Sequence, residues 1–321
     1  MVNSFEKRII MRKPRRIQPG DTIGIVSPSS PVKQIELEAN IALLHERGYR
    51  TVVGDSVLAT VSCNDYLAGT DSQRAADIDR MFADDSIDAI FCARGGYGAT
   101  RLLNLLDWDI IRANPKVFTG YSDITSLHTA IARHAEFATY YSPNVATLAG
   151  LDAASTDSFW QMVEGMAHAD FVLAADPNTM QTLVPGLVRG RLAGGCLSLL
   201  AHACGSQYAP DFTDCIVLIE DVGESIYRAD RTLIQLRNAG LLDTAAGFVV
   251  GTITRWQAHE ADPPHNSPDA LWQDILAPLG KPTITGFPFG HEPNPLTLPL
   301  GCHAELDATA RTLTLLESPT S

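Results

Sequence analysis

Residues 118–127 read FTGYSDITSL. The run 116–119 is rich in strand-forming residues, and the next four residues, 120–123, predict a turn. From residue 124 to 133, apolar side chains recur at helical spacing. A sharp turn between a strand and a helix holds a hydroxyl clear of its neighbours, next to the free N–H groups of the first helical turn. The sequence therefore predicts an exposed hydroxyl at Ser122.

Two interpretations of Ser122 are open at this point. The first is a nucleophile elbow, the strained strand-to-helix turn that presents a catalytic hydroxyl. The motif departs from the usual G-x-S-x-G because Ile124 replaces the second glycine. The second is a helix cap, a position that serine occupies well. From this stretch alone the helix cap is the preferred interpretation, and the rest of the chain must decide between them.

The first half of the chain alternates predicted strands and helices. Strands are predicted at 21–27, 49–54 and 89–93, and helices at 34–46 and 73–84. This alternation predicts an α/β fold with a mainly parallel sheet, Rossmann-like, with helices on both faces. Ligands of such sheets bind beyond the carboxyl ends of the strands.

The segment 94–98, RGGYG, follows the third predicted strand and leads into a predicted helix at 99–106. Its glycines allow close approach of the backbone and leave N–H groups free. It could hold a phosphate, or it could form half of an oxyanion hole facing Ser122. A simple tight turn is the alternative, because RGGYG matches neither a Walker A nor a G-x-G-x-x-G motif.

The second half has its own pattern, which predicts a second domain. Residues 152–168 look helical, 190–200 predict a turn into a buried helix, and 227–239 predict a helix. Strands are predicted at 215–220, 248–254 and 283–285, with a terminal hairpin at 306–316. We divide the chain into a basic tail (1–20), an N-terminal domain with Ser122 (21–168), a linker (169–186) and a C-terminal domain (187–321).

Three residues at predicted strand-to-loop junctions could form a catalytic triad. Ser122, Glu220 and His291 supply a hydroxyl, a carboxylate and an imidazole in the order of one known triad class. Each also has a structural alternative, since Glu220 could cap a helix or pair with an arginine and His291 could be an ordinary loop residue. A metal site at Glu292 or at 259–265 is disfavoured, because H-E-x-x-H is absent and two prolines prevent a helix there.

Composition and charge limit the function classes. The formal charge is −13, and beyond the basic residues 1–16 the chain has 18 basic against 36 acidic residues. Such an acidic body argues against binding to nucleic acid or to an anionic membrane. The basic start lacks the apolar core of a signal peptide, and the six cysteines are scattered without a C-x-x-C pair. We therefore expect reduced thiols and a cytoplasmic protein.

Six motifs in order make the chain resemble the LD-carboxypeptidase family of serine peptidases, also called muramoyltetrapeptide carboxypeptidases. The resemblance extends from residue 21 to about residue 302. The motifs are GDTIGIVSPSSP, ARGGYGATRLL, FTGYSDITSLH, GRLAGGCLSLL, VLIEDVGESIYRADR and GFPFGHEPNPLTLPLG.

This resemblance implies specific roles and reverses the preference for a helix cap. It makes Ser122 the nucleophile, His291 the general base and Glu220 the carboxylate that orients it. The N–H groups of Gly96 and Asp123 would line the oxyanion hole, with each donor contributing roughly 3–4 kcal/mol.

The resemblance also implies a substrate and an assembly. The substrate would be a cytoplasmic murein tetrapeptide that loses its terminal D-alanine during cell-wall recycling. No metal or organic cofactor is implied. The fold would be a Rossmann-like half and a mixed or barrel-like half, usually in a homodimer with the triad across the cleft. Arg94 and Arg231 are candidates for holding the terminal carboxylate. Cys196 occupies a position where the family often has asparagine.

Two alternatives remain besides a murein carboxypeptidase. One is a related amidase that cleaves peptidyl-nucleotide antibiotics of the microcin C type. The segment 221–231, DVGESIYRADR, is more similar to the murein branch. The other is a catalytically silent two-domain protein whose RGGYG loop binds a phosphate or a peptide carboxylate.

Overall fold

The computed structural model describes residues 11–61, 64–173, 175–176, 178–256 and 267–321. The strands are β1 (Thr22–Val26), β2 (Arg50–Val53), β3 (Ala89–Cys92), β4 (Val117–Gly120), β5 (Thr139–Tyr141), β6 (Gln181–Val184), β7 (Leu187–Cys196), β8 (Cys215–Val222), β9 (Gly247–Thr254), β10 (Thr283–Thr285), β11 (Leu298–Leu300), β12 (His303–Asp307) and β13 (Thr312–Leu315). The α-helices are α1 (Gln34–Glu46), α2 (Asp71–Ala83), α3 (Trp108–Ala113), α4 (Thr125–His134), α5 (Ala153–Val163), α6 (Leu197–His202), α7 (Ile226–Asn238), α8 (Leu241–Thr244) and α9 (Pro268–Ile275). Short 3₁₀ segments include Ala99–Leu102 and Ser122–Ile124.

The first sheet has the strand order β11-β5-β4-β3-β1-β2 and is parallel except for β11. Alternate residues of β3 enter different cores. Phe91 packs in the core that contains residues of α1 and α5, whereas Ile90 and Cys92 pack in the core of α2 and α4. Helices therefore cover both faces, which is the reason for the near-continuous apolar strands.

The second sheet has the order β13-β12-β7-β8-β9-β10-β6. Its central strands β7 to β10 run parallel, while β6, β12 and β13 pair antiparallel at the two ends. Helices α6, α7 and α9 contribute to a core on one face of this sheet. The predicted fold class, a Rossmann-like half followed by a mixed half, is confirmed.

The prediction for residues 190–200 is wrong in part, because most of this stretch belongs to β7 and only its end lies in α6. Its glycines allow a close parallel pairing with β8. A Cβ atom on Gly194 would lie 2.8 Å from the backbone nitrogen of Leu218, and the φ of Gly194 is 126°. A glycine-rich strand of this kind lacks the β-branched residues that usually identify a strand in sequence.

The chain crosses from the second sheet back to the first near its end. After β10, a loop leads to β11, which pairs antiparallel with β5 at the edge of the first sheet. The next strand, β12, is again in the second sheet. The chain thus passes between the two sheets three times, from β5 to β6, from β10 to β11 and from β11 to β12, and the segment between β10 and β11 lies across their junction.

The ends of the predicted domains also contain packed residues. Met11 and Ile17, which fall in the predicted tail, are buried, and β6 lies within the predicted linker. The domain boundaries stay a prediction. Among the helices of the described residues, none has the length and apolarity needed to cross a bilayer.

Candidate active site

The turn after β4 places Ser122 in an uncommon conformation. Its φ is 66°, in the left-handed region, which costs of the order of 1–3 kcal/mol for a residue with a side chain. Tyr121 is the N-cap of the 3₁₀ segment and Ile124 that of α4, and neither segment has a side-chain cap hydrogen bond. The interpretation of Ser122 as a helix cap is therefore wrong.

Neighbouring groups hold this backbone conformation on both sides. The N–H of Ser122 donates to the hydroxyl of Tyr141 at 3.2 Å, and the hydroxyl of Thr125 donates to the carbonyl of Ser122 at 2.7 Å. Thr125 in turn accepts a hydrogen bond from the N–H of Cys196 at 3.0 Å. Because Cys196 ends β7, the turn of the first sheet is fixed directly by the second sheet.

Glu220 lies in β8 and has no exposed surface. A buried carboxylate is tolerated when donors compensate for the lost water. Its Oε1 accepts from the hydroxyl of Tyr141 at 2.6 Å. Its Oε2 accepts from Nδ1 of His291 at 2.7 Å and from the backbone N–H of His291 at 3.2 Å. The carboxylate is thus satisfied and fixed in one orientation.

His291 lies in the loop between β10 and β11, and this loop brings it between Glu220 and Ser122. Its Nε2 is 3.0 Å from the Oγ of Ser122. An ionised carboxylate can only accept, so Nδ1 carries the proton and Nε2 is free to accept from the serine hydroxyl. The ring of Tyr121 packs edge-on against the imidazole, with 5.0 Å between centroids. The three predicted triad residues are therefore joined by hydrogen bonds in one relay.

The RGGYG loop lies against the same turn. A Cβ on Gly95 would be 2.9 Å from the Cβ of Ser122, so a side chain there would displace the serine. Gly96 has a φ of 111°, which favours glycine. Ser30 supports the loop, because its N–H donates to the Gly95 carbonyl and its hydroxyl accepts from the N–H of Tyr97, each at 3.3 Å.

Asp123 connects the serine turn to this loop. Its carboxylate is buried and accepts from the Ser29 hydroxyl at 2.5 Å and from the Ala99 N–H at 2.8 Å. Burial raises the pKa of Asp123, and these hydrogen bonds oppose the shift. The two residues predicted for the oxyanion hole, Gly96 and Asp123, thus belong to adjoining turns that are fixed to each other.

The two arginines predicted to bind a carboxylate lie in different surroundings. Arg94 is exposed and donates to the carbonyl of Pro31 at 3.2 Å. Arg231 is on α7, with its guanidinium carbon 5.4 Å from the centre of the Tyr227 ring. A third arginine, Arg255, was not predicted; it follows β9 and has a φ of 51°.

The charges of Arg94 and Arg255 both act on Tyr121. Burial raises the pKa of the Tyr121 phenol, as does the nearby charge of Glu220, while the two arginines lower it. Arg94 and Arg255 therefore lie near the ring that packs on His291. This makes Arg255 a candidate for substrate binding alongside Arg94.

A cavity of about 400 Å³ adjoins Tyr121. Thr147 and Leu151 line it, together with Glu292, the residue after His291. The carboxylate of Glu292 accepts a hydrogen bond from the hydroxyl of Thr252. Among the described residues, no group of three or more His, Cys, Asp or Glu side chains could hold a metal ion. The disfavoured metal segment, 259–265, lies outside the described residues.

Sequence comparison identifies the family to which this chain belongs. Residues 23–142 match the family model for the LD-carboxypeptidase N-terminal domain, and residues 189–306 match the model for the LD-carboxypeptidase C-terminal domain. The chain belongs to the LD-carboxypeptidase family of serine peptidases.

Particular relatives cover nearly the whole chain. A putative carboxypeptidase from Streptomyces coelicolor is 40% identical over 94% of this chain and 96% of its own length. A probable murein peptide carboxypeptidase from Bacillus subtilis is 34% identical over 94% of this chain and 93% of its own. Among solved structures, MccF in complex with glutamyl sulfamoyl guanosine has a TM-score of 0.87 at 24% identity, covering 96% of this chain and 99% of that one. This last likeness concerns the fold.

Proposed function

We propose that this protein is a serine LD-carboxypeptidase that releases the C-terminal D-alanine from murein tetrapeptides. The observation that carries the proposal is the relay from the Ser122 hydroxyl through His291 to Glu220, with distances of 3.0 and 2.7 Å. The murein peptide named for the Bacillus subtilis relative supports the choice of substrate.

In the proposed reaction, the Oγ of Ser122 attacks the carbonyl carbon before the terminal D-alanine, and Nε2 of His291 takes the serine proton. The negative carbonyl oxygen would accept from the N–H groups of Gly96 and Asp123. The imidazolium then gives its proton to the leaving amine, and an acyl-enzyme remains. Water attacks this ester with His291 again as base, which releases the tripeptide and restores Ser122.

Recognition of the free carboxylate would give the enzyme its exopeptidase character. Arg94, Arg255 and Arg231 are the candidate partners, because guanidinium groups bind carboxylates in a bidentate manner. The exposed Arg94 and Arg255 both act electrostatically on Tyr121, beside the base. We further propose that the protein works in the cytoplasm, in cell-wall recycling, as a homodimer.

One substrate panel tests this function. It contains a murein tetrapeptide, its C-terminal amide, its L-alanine epimer and a peptidyl-adenylate mimic, each assayed for product release. A charge-assisted contact contributes about 1.5–3 kcal/mol, so amidation should lower kcat/KM by roughly 10- to 150-fold. The L-alanine epimer should be at least as poor, because inversion exchanges the positions of the methyl and carboxylate groups.

The same panel separates the alternatives. If the adenylate mimic is the best substrate, the microcin-type amidase replaces our proposal. If the amide reacts as fast as the free acid, the exopeptidase model fails. A fluorophosphonate probe tests the silent-binder alternative, since a protein without an activated serine should leave Ser122 unlabelled.

A further inference from the structure

Tyr141 occupies a position between the nucleophile and the acid of the relay. It ends β5 and is fully buried. Its hydroxyl lies 2.6 Å from Oε1 of Glu220 and 3.2 Å from the backbone nitrogen of Ser122. One phenol oxygen thus contacts both sheets at the point where the relay crosses between them.

The chemistry of a phenol fixes the direction of both hydrogen bonds. The carboxylate of Glu220 can only accept and the N–H of Ser122 can only donate. Tyr141 must therefore give its proton to Glu220 and accept from Ser122 with a lone pair. Burial raises the pKa of the Tyr141 phenol, as does the charge of Glu220, so the hydroxyl keeps the proton that this arrangement needs.

The surroundings hold the ring in place. A Cβ on Gly195 would lie 2.9 Å from Cε2 of Tyr141, so only a glycine leaves room for the ring. The rings of Phe289 and His128 each have their centroids 5.9 Å from that of Tyr141. A side chain so confined is suited to positioning other groups.

We propose that Tyr141 is a positioning residue that sets the geometry of the Ser122 turn and the charge distribution of Glu220 together. On the nucleophile side, its oxygen stabilises the left-handed backbone of Ser122. On the acid side, its proton neutralises part of the negative charge on Oε1, while Oε2 remains for His291. The proposal rests on the proposed function, since it assigns Tyr141 to the relay described there.

The Tyr141→Phe substitution tests this role because it removes both hydrogen bonds and keeps the ring. We expect kcat to fall about 10- to 100-fold with KM changed less than about twofold, the size of a lost hydrogen bond to a charged group. The more negative Glu220 should hold the imidazolium proton of His291 more tightly. The acid limb of the kcat/KM profile should therefore move to higher pH, a change that a packing role would not produce.

Tyr140 offers a matched control. It is the preceding residue of β5 and is equally buried, but its hydroxyl donates to the carbonyl of Pro319 at 2.8 Å. Tyr140→Phe should lose a comparable amount of stability while kcat stays within about twofold and the pH profile is unchanged. Equal kinetic effects in the two variants would overturn the proposal.

A fluorinated tyrosine at position 141 covers the case in which Tyr141→Phe does not fold. Fluorination makes the phenol a stronger donor and preserves its shape, so the acid limb should move to lower pH. An unmoved profile in the fluorinated protein would also contradict the role.

The labelling rate with a fluorophosphonate distinguishes failure of this inference from failure of the proposed function. Labelling requires the relay but no peptide. If the unmodified protein is labelled yet cleaves no tetrapeptide, the substrate assignment fails. The role of Tyr141 is then supported if Tyr141→Phe is labelled more slowly than Tyr140→Phe, and contradicted if the two rates are equal. If the unmodified protein is not labelled, the relay and the role of Tyr141 fail together.

Discussion

The two sides of the relay are built in different ways. Ser122 is positioned mainly within the first sheet, by a left-handed φ of 66° and by the hydroxyls of Thr125 and Tyr141, and Cys196 of the second sheet donates to Thr125. Glu220 and His291 are positioned over long distances, since they lie 71 residues apart and His291 is 169 residues from Ser122. The Ser122 side depends on backbone conformation, and the side of Glu220 and His291 depends on burial and on side-chain hydrogen bonds.

This difference indicates how substitutions on each side should affect activity and stability. A change of side chain at Ser122 removes the reacting atom but few contacts, because the turn is held mainly through backbone groups. A change near Glu220 can remove one of the hydrogen-bond donors of its buried carboxylate. Leaving a buried charge unsatisfied lowers the stability of the fold. We therefore expect a substitution at Ser122 to lower activity with little change in stability, and a substitution near Glu220 to lower both.

The largest effect on activity is expected for Ser122→Ala. Turnover of the tetrapeptide should fall by a factor on the order of 10⁴ to 10⁶, as for other relays that lose their nucleophile. The free energy of unfolding should change by less than about 1 kcal/mol. Steady-state kinetics and urea denaturation measure the two quantities.

Ser126→Ala is the control for this variant. Ser126 is a buried serine of α4 whose hydroxyl contacts that of Thr100 at 3.1 Å, outside the relay. It should keep its turnover within a few-fold. Turnover in Ser122→Ala equal to that of Ser126→Ala would remove Ser122 from the mechanism.

The next effect is expected for Glu220→Gln. The amide cannot stabilise the imidazolium as a carboxylate does, and its NH₂ group would face the donors of Tyr141 or His291. We expect kcat to fall by about 10²- to 10⁴-fold, together with a measurable loss of stability. Kinetics and urea denaturation of the same preparation test whether both fall, and an unchanged kcat would contradict the assignment.

A smaller effect is expected for two glycine-to-alanine variants, which separate crowding against Glu220 from backbone strain. Gly290 has a φ of 78°, and a Cβ there would lie 2.5 Å from Cγ of Glu220. Gly223 has a φ of 71° with nothing within 4 Å of its Cβ position. Both alanine variants incur the left-handed penalty of roughly 1–2 kcal/mol, but only Gly290→Ala presses on Glu220.

Gly290→Ala should therefore be less stable than Gly223→Ala by about 1–3 kcal/mol, the usual cost of overpacking. It should also lose at least about tenfold in turnover, because the carboxylate must shift. Thermal unfolding and kinetics of the pair measure the difference. Indistinguishable variants would show that the position of Glu220 tolerates displacement.

The last prediction concerns the pH dependence of stability, on the Ser122 side of the relay. His128 is buried below the turn, with Nε2 2.9 Å from the carbonyl of Gly120 and Nδ1 2.8 Å from the Thr139 hydroxyl. Burial lowers its pKa from 6.5 to about 4, and the hydrogen bond to Gly120 opposes the shift. Between these two values the unfolded chain binds a proton that the folded chain does not.

Stability should consequently fall as the pH is lowered from 6.5 to 4, by up to about 1.4 kcal/mol per pH unit from this residue. Below the folded pKa both states are protonated and this contribution stops changing. Urea denaturation between pH 4 and 7.5 measures the slope, with His128→Asn as the comparison. Parallel slopes in the two proteins would exclude His128 as the source.

Local features were the ones that the sequence could predict. Helix α1 was predicted with its observed bounds, because its spacing and its end at Gly48 are encoded within one segment. The turn at Ser122 was predicted for the same reason. Residues 190–196 were predicted wrongly, because their glycines serve a pairing with β8 that only the folded chain contains.

The parts of the site that the sequence analysis did not predict depend on contacts between distant segments. Tyr141 is an ordinary strand residue in sequence, and its importance comes from Glu220, 79 residues away. Arg255 likewise is a candidate for substrate binding only because its charge acts on Tyr121. The six sequence motifs predicted the three relay residues. Tyr141, which contacts both Ser122 and Glu220, lies in none of these motifs.

The crossing of the chain between β10 and β11 has a consequence for biosynthesis. A ribosome makes Ser122 before β6 to β10 of the second sheet, and the first sheet lacks its edge strand β11 until those strands have been translated. His291 is translated in the segment just ahead of β11. A nascent chain that lacks this segment therefore carries Ser122 without His291, and the proposed relay can form only after the segment has been made. Truncated products that end before residue 291 would lack the proposed relay for the same reason.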